Sequence, residues 1–258
     1  MARIWSPEEL AEADTICRRV APLLRPDARP VLDATRARFH GDRDEGEARG
    51  ARFELKMLAR LRDEHIREVE LERPVAPGVT GCTVDQYLRS MDIGFELKAA
   101  QHLIIPFVQV SADCSEDYLE EEHGAAIRQS RNFTEDQAKM LFREVNRKCG
   151  EKKLQLLTFP TWLLVDTDGT DWLEHFRSNL TTEEHFRQLG EAFKFVATRA
   201  GRNDEPNHVL AAPRVNLGFV NSFRGTAREH LVVFPRSDAE REESKVIARL
   251  FGLEMLVT

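Results

Sequence analysis

The stretch from Cys82 to Gln101, CTVDQYLRSMDIGFELKAAQ, holds the residues whose types and spacing can do chemistry. It has the pattern of two short strands joined by a turn near Arg89-Ser90. Strand side chains alternate, so in the second strand Ile93, Phe95, Leu97 and Ala99 share one face and Gly94, Glu96 and Lys98 the other. Apolar groups can then enter a core while a carboxylate and an ammonium stand together on the opposite surface. Asp85, on the preceding strand, comes eleven positions before Glu96, close enough across a hairpin for the two carboxylates to converge. Two acidic groups suit a hard divalent cation, and a lysine two residues on can hold or activate a water beside a phosphate. The chemistry expected is metal-dependent hydrolysis of a phosphodiester.

Glu-x-Lys alone carries no weight, because it occurs four times, starting at Glu54, Glu96, Glu151 and Glu243. Only the Glu96 copy lies in an alternating pattern with an acidic residue on a preceding strand. The bland reading of that copy is a solvated strand face carrying a Glu-Lys pair. Asp85…Glu96-Leu97-Lys98 resembles the PD-(D/E)XK signature of restriction-endonuclease-like nucleases, with Val84 where that family often has proline. At motif level the resemblance covers Glu47 to Gln101.

The resemblance implies an α/β fold with a restriction-endonuclease-like core, a mixed central sheet flanked by helices. It implies a Mg²⁺-dependent DNA endonuclease, with Mn²⁺ able to substitute. Asp85 and Glu96 would ligate the metal together with the Leu97 carbonyl, and Lys98 would orient water and stabilise developing negative charge. A glutamate on the first core helix reaches toward the metal in that family; Glu54 is the matching residue here and Glu47 the reserve. A stand-alone nuclease of this kind points to a type II restriction enzyme on double-stranded DNA, working as a homodimer. The alternative is a DNA-binding or regulatory protein that keeps the fold without cutting.

Composition bounds these readings. The chain has 258 residues, 41% hydrophobic and 31% charged, enough to bury a sizeable core. No apolar run reaches the length of about 18 residues that a membrane helix needs, and MARIWSPEEL is too polar for a signal peptide. A cytoplasmic protein is expected. Cys17, Cys82, Cys114 and Cys149 are scattered, which argues against a zinc or disulfide framework. A net charge of −7 argues against non-specific coating of nucleic acid, so a DNA enzyme needs a locally basic surface. Arg128 to Lys153 provides one, with eight Lys/Arg against four Asp/Glu.

The elements that must position these groups follow from caps and periodicity. Ser6-Pro7-Glu8-Glu9 is a capping box opening a helix to about Leu24, and a second helix spans about 31–39. Residues 1–44 are expected to be a helical extension and 45–258 the nuclease domain. A helix over about 47–64 places Glu54 in a stripe with Ala51, Leu58 and Leu61, where a carboxylate needs a partner. The plain explanation is an ion pair with Arg49, Arg52 or Arg62.

A first strand is expected over 65–72, and an apolar strand over 102–110 after the motif. Gln101 is a DNA or metal-water contact, or simply a polar strand end. Arg128, Gln129, Arg131 and Asn132 precede a helix over about 135–148, on which Lys139, Arg143 and Arg147 form a basic ridge suited to phosphates. Residues 154–165 have the length of a strand broken at Pro160. The following DTDGT, Asp166 to Thr170, resembles the haloacid-dehalogenase nucleophile motif, but no G-D-x-x-x-D follows and Asp168-Gly169 suits a turn. A helix over 181–200, strands over 215–223 and 231–234, and a helix over 239–251 with Val246, Ile247, Leu250 and Phe251 inward complete the chain.

Overall fold

The computed structural model describes residues 5–41, 45–61, 66, 68–76, 81–99, 138–158, 160–166, 182–200, 206–212, 215–219, 230–233 and 235–257. The helix α1 spans Pro7–Val20 and starts where the capping box requires. The Ser6 N–H donates to Glu9 Oε2 at 2.9 Å and the Glu9 N–H to Ser6 Oγ at 3.2 Å. It ends four residues earlier than the apolar pattern indicates, in 3₁₀ turns at Ala21–Leu23 and Pro26–Ala28, because Pro22 and Pro26 interrupt the helical ladder. Helix α2 is Arg29–His40 and α3 is Glu45–Arg60.

The sheet has seven strands in sequence order: β1 Val69–Pro74, β2 Thr83–Leu88, β3 Ile93–Ala99, β4 Thr161–Asp166, β5 Val215–Phe219, β6 His230–Val233 and β7 Glu254–Val257. It is mixed. β1–β2, β2–β3 and β5–β6 pair antiparallel, whereas β3–β4, β4–β5 and β6–β7 pair parallel. Between these strands lie α4 (residues 138–151), α5 Lys153–Thr158, α6 Thr182–Ala200, α7 His208–Ala211 and α8 Asp238–Phe251.

Both faces of the sheet are covered. Trp162 and Leu164 of β4 join a core with Phe95 and Leu97 of β3, Phe53 and Leu58 of α3, and Ile247 and Phe251 of α8. The alternate residues Leu163 and Val165 join Leu141 and Val145 of α4, Leu156 of α5 and Phe193 of α6 in a second core. The parallel crossovers β3→β4 and β4→β5 therefore put helices on one face, and β6→β7 puts α8 on the other. Because β6 and β7 run opposite to β3, β4 and β5, both sets have the same hand, as parallel crossovers do. Residues of α1 and α2, among them Ala13, Cys17, Leu32 and Phe39, belong to the first core together with α3.

Three expectations change. Residues 154–158 are helical, not strand: Gln155 and Leu156 point inward while Leu154 and Leu157 are exposed, a 3.6-residue rhythm that the density of leucines hides. Val246 lies on the outer side of α8, where Ser244, Ile247, Ala248, Leu250 and Phe251 make the buried stripe. The Gly94/Glu96 face of β3 is not an open surface, because Gly94 and Glu96 are buried. The short helix α7 and strand β7 have no counterpart in the sequence pattern. The strand expected over 102–110 lies outside the described residues.

Candidate active site at the β2–β3 opening

The hairpin turn runs Arg89 to Asp92, and the ladder between β2 and β3 holds Leu88 opposite Ile93, Tyr87 opposite Gly94 and Gln86 opposite Phe95. There the regular pairing stops. The Leu97 N–H donates to Asp85 Oδ2 at 2.6 Å, so a side chain takes the place of a strand carbonyl. On the other side of β2 the pairing with β1 also skips Glu72, which has φ 49, opposite Asp85. Backbone irregularity on both flanks frees the Asp85 carboxylate to stand at the rim between β2 and β3.

Glu96 follows one residue after the last paired position and is fully buried. A buried carboxylate is costly unless charge compensates it. Two ammoniums do so: Lys98 Nζ lies 3.2 Å and Lys152 Nζ 2.6 Å from Glu96 Oε1. These contacts are close but poorly aligned for hydrogen bonds, and Glu96 Oε2 has no hydrogen-bond partner among the described residues. Burial, reinforced by the charge of Asp85, raises the Glu96 carboxyl above its ordinary range, against the pull of Lys98 and Lys152. Burial opposes the Lys98 charge, but Asp85, Glu96 and Glu54 together hold its ammonium above the usual lysine range.

Glu54 reaches the same field from α3. Its Oε2 accepts from Arg38 at 2.8 Å and from Thr35 Oγ1 at 3.3 Å, both on α2. Burial first, then the charge of Asp85, pushes its carboxyl up to about 7 despite Arg38. The partner of Glu54 is thus an arginine of the preceding helix. Arg52 instead pairs with Glu9 at 3.3 Å and lies over the Trp5 ring, 4.9 Å from its centroid. Gln86 ties the two elements together, its Nε2 donating to the Glu54 carbonyl at 2.9 Å.

Asp85, Glu96, Lys98 and Glu54 therefore share one electrostatic cluster. Sequence reasoning missed Lys152, Arg38 and Thr35. Lys152 sits in the basic run already noted, but only the packing of the crossover helix against β3 brings it to Glu96. Among the described residues no three His, Cys, Asp or Glu side chains gather closely enough to cage a metal ion. Asp85 and Glu96 nonetheless bring two carboxylates to one cluster, donors of the kind a hard divalent ion takes, and the buried Glu96 Oε2 has no hydrogen-bond partner among the described residues.

The outer residues separate. Lys139, Arg143 and Arg147 lie on the exposed side of α4, as the four-residue spacing indicates. Arg147 is already engaged, with Glu144 at 2.6 Å and with Glu151, so its charge is partly neutralised. Gln101, Arg128, Gln129, Arg131, Asn132 and Asp168 lie outside the described residues. Asp166 ends β4, buried, in register with Ala99. Among the described residues no helix is long and apolar enough to cross a membrane. Compared with family models, with curated proteins and with solved structures, the chain matches none.

Proposed function

We propose that this protein is a Mg²⁺-dependent DNA endonuclease with a restriction-endonuclease-like core, a type II restriction enzyme acting on a short DNA site as a homodimer. The observation that carries the reading is the convergence of Asp85, Glu96 and Lys98 where the β2–β3 ladder opens. Asp85, Glu96 and the Leu97 carbonyl hold the divalent cation, and Mn²⁺ serves in place of Mg²⁺. A cation bound there supplies positive charge to the phosphate and a more acidic water. Lys98, held protonated by its carboxylate neighbours, orients the attacking water and faces the charge that develops on the phosphate. Glu54, poised near neutrality, completes the acidic set. In this reading Lys139, Arg143 and Arg147 carry the DNA backbone, with Gln101, Arg128, Arg131 and Asn132 toward the bases.

Plasmid nicking in Mg²⁺ tests the assignments. Asp85→Ala and Lys98→Ala are each expected to lose about a hundredfold or more in rate while keeping the wild-type circular dichroism. Undiminished cutting by both variants would rule the assignments out. The alternative, a DNA-binding protein that does not cut, draws on the Lys152–Glu96 ion pair, which occupies one of the ligating oxygens. Salt-sensitive DNA binding by the wild type with no Mg²⁺- or Mn²⁺-dependent cleavage would favour it.

A further inference from the structure

Lys152 has no role in the chemistry derived so far, yet it makes the closest charged contact to Glu96, 2.6 Å against 3.2 Å for Lys98. It stands at the junction of α4 and α5, its N–H donating to the Lys148 carbonyl at 2.9 Å and its carbonyl accepting from Leu156 at 3.0 Å. The backbone is thus held in a helical ladder while the side chain, 23% exposed, keeps a path to solvent. Glu96 is fully enclosed, and both ammoniums crowd one of its oxygens while the other has no hydrogen-bond partner among the described residues.

We propose that Lys152 is a built-in stand-in for the divalent cation, a positioning residue whose ammonium keeps the buried Glu96 carboxylate in place without the ion and yields Oε1 when the ion binds. The inference rests on the metal-site reading above. A doubly charged ion against Glu96 repels a neighbouring ammonium, and a lysine side chain swings without moving its helix. One turn along, Gln155 is buried and its Oε1 lacks a hydrogen-bond partner among the described residues, so an acceptor lies on the same helical side for the displaced ammonium. Lys98 stays behind, so one ammonium supports the carboxylate and the other competes for it. Lys152 therefore lowers cation affinity in exchange for a preformed, rigid ligand.

The test is Mn²⁺ binding to the full chain without DNA, by calorimetry at pH 8.5. Lys152→Met is expected to bind Mn²⁺ about tenfold more tightly than wild type, the size of one removed unit of competing charge. Lys152→Arg should return affinity toward wild type. Unchanged or weaker binding by a folded Lys152→Met protein would overturn the stand-in role. A measurement on the unaltered protein guards against a variant that fails to fold. Acetylation of Lys152, read by mass spectrometry, should speed up severalfold in saturating Mg²⁺, and an unchanged rate overturns the proposal. Glu96→Gln separates the underlying reading: it should abolish Mn²⁺ binding, and wild-type affinity in that variant would overturn the metal site itself.

Discussion

A carboxylate taken out of water is costly, and the charge of Asp85 acts both on the half-buried Glu54 and on the fully buried Glu96. Glu54 shows the cost in measurable form. Its carboxyl ionises near 7 in the folded chain and near the ordinary 4.5 when unfolded, so folding raises its proton affinity. The sign follows: the contribution of Glu54 to stability is fully present below about pH 4.5 and is lost as pH rises through about 7. Glu54→Gln removes that loss. Urea unfolding at pH 4.5 and at pH 8 should show the variant gaining on wild type by about 2–3 kcal/mol over the interval. Parallel profiles for the two proteins would mean that Glu54 does not titrate in that window. Arg38 and Thr35 hold the carboxylate in place through this change.

At the scale of elements, the hairpin and the helix that supply the acids are both braced by Phe251 of α8. Phe95, immediately before Glu96, meets the Phe251 ring of α8 edge-on, with centroids 5.1 Å apart and planes at 80°. The Arg60 guanidinium of α3 donates to the Phe251 carbonyl at 3.3 Å. Phe251 is fully buried, so Phe251→Ala should cost about 3–5 kcal/mol, read as a lower denaturant midpoint. A shift below about 1 kcal/mol would show that α8 does not brace β3.

Much of this scaffold is legible in the chain, because its signals are local. The capping box at Ser6 and Glu9 marks α1, and the alternation through Ile93 to Ala99 marks β3. What resists reading is non-local. Nothing near Glu54 in sequence says that Arg38 will be its partner, since that depends on how α2 folds back onto α3. Likewise Lys152 is more than fifty residues beyond Glu96, and only the β3→β4 crossover joins them. The helix at Lys153–Thr158 is mistaken for strand because leucines fill its exposed as well as its buried positions.

For the whole molecule, the sheet is sandwiched, and the cluster lies where β2 and β3 part near the crossover helix α4. In the proposed reading, a chain with a net charge of −7 takes DNA through a local surface, and Lys139 and Arg143 lie on the exposed side of α4. Reversing both, Lys139→Glu with Arg143→Glu, should weaken metal-free DNA binding by about tenfold or more and flatten its salt dependence, followed by fluorescence anisotropy across a salt series. Arg147→Ala should matter less, because Glu144 and Glu151 already share its charge. Equal effects from the ridge and from an acidic surface elsewhere would remove α4 from the DNA path.

The central claim is that Asp85 and Glu96 are arranged to hold one divalent ion. Crystals grown with Mn²⁺ and measured at the manganese absorption edge test it without reference to any DNA. An anomalous peak about 2.0–2.3 Å from a carboxylate oxygen of each residue and from the Leu97 carbonyl is the expected result. Full-occupancy Mn²⁺ bound elsewhere, with none between these two side chains, would contradict it.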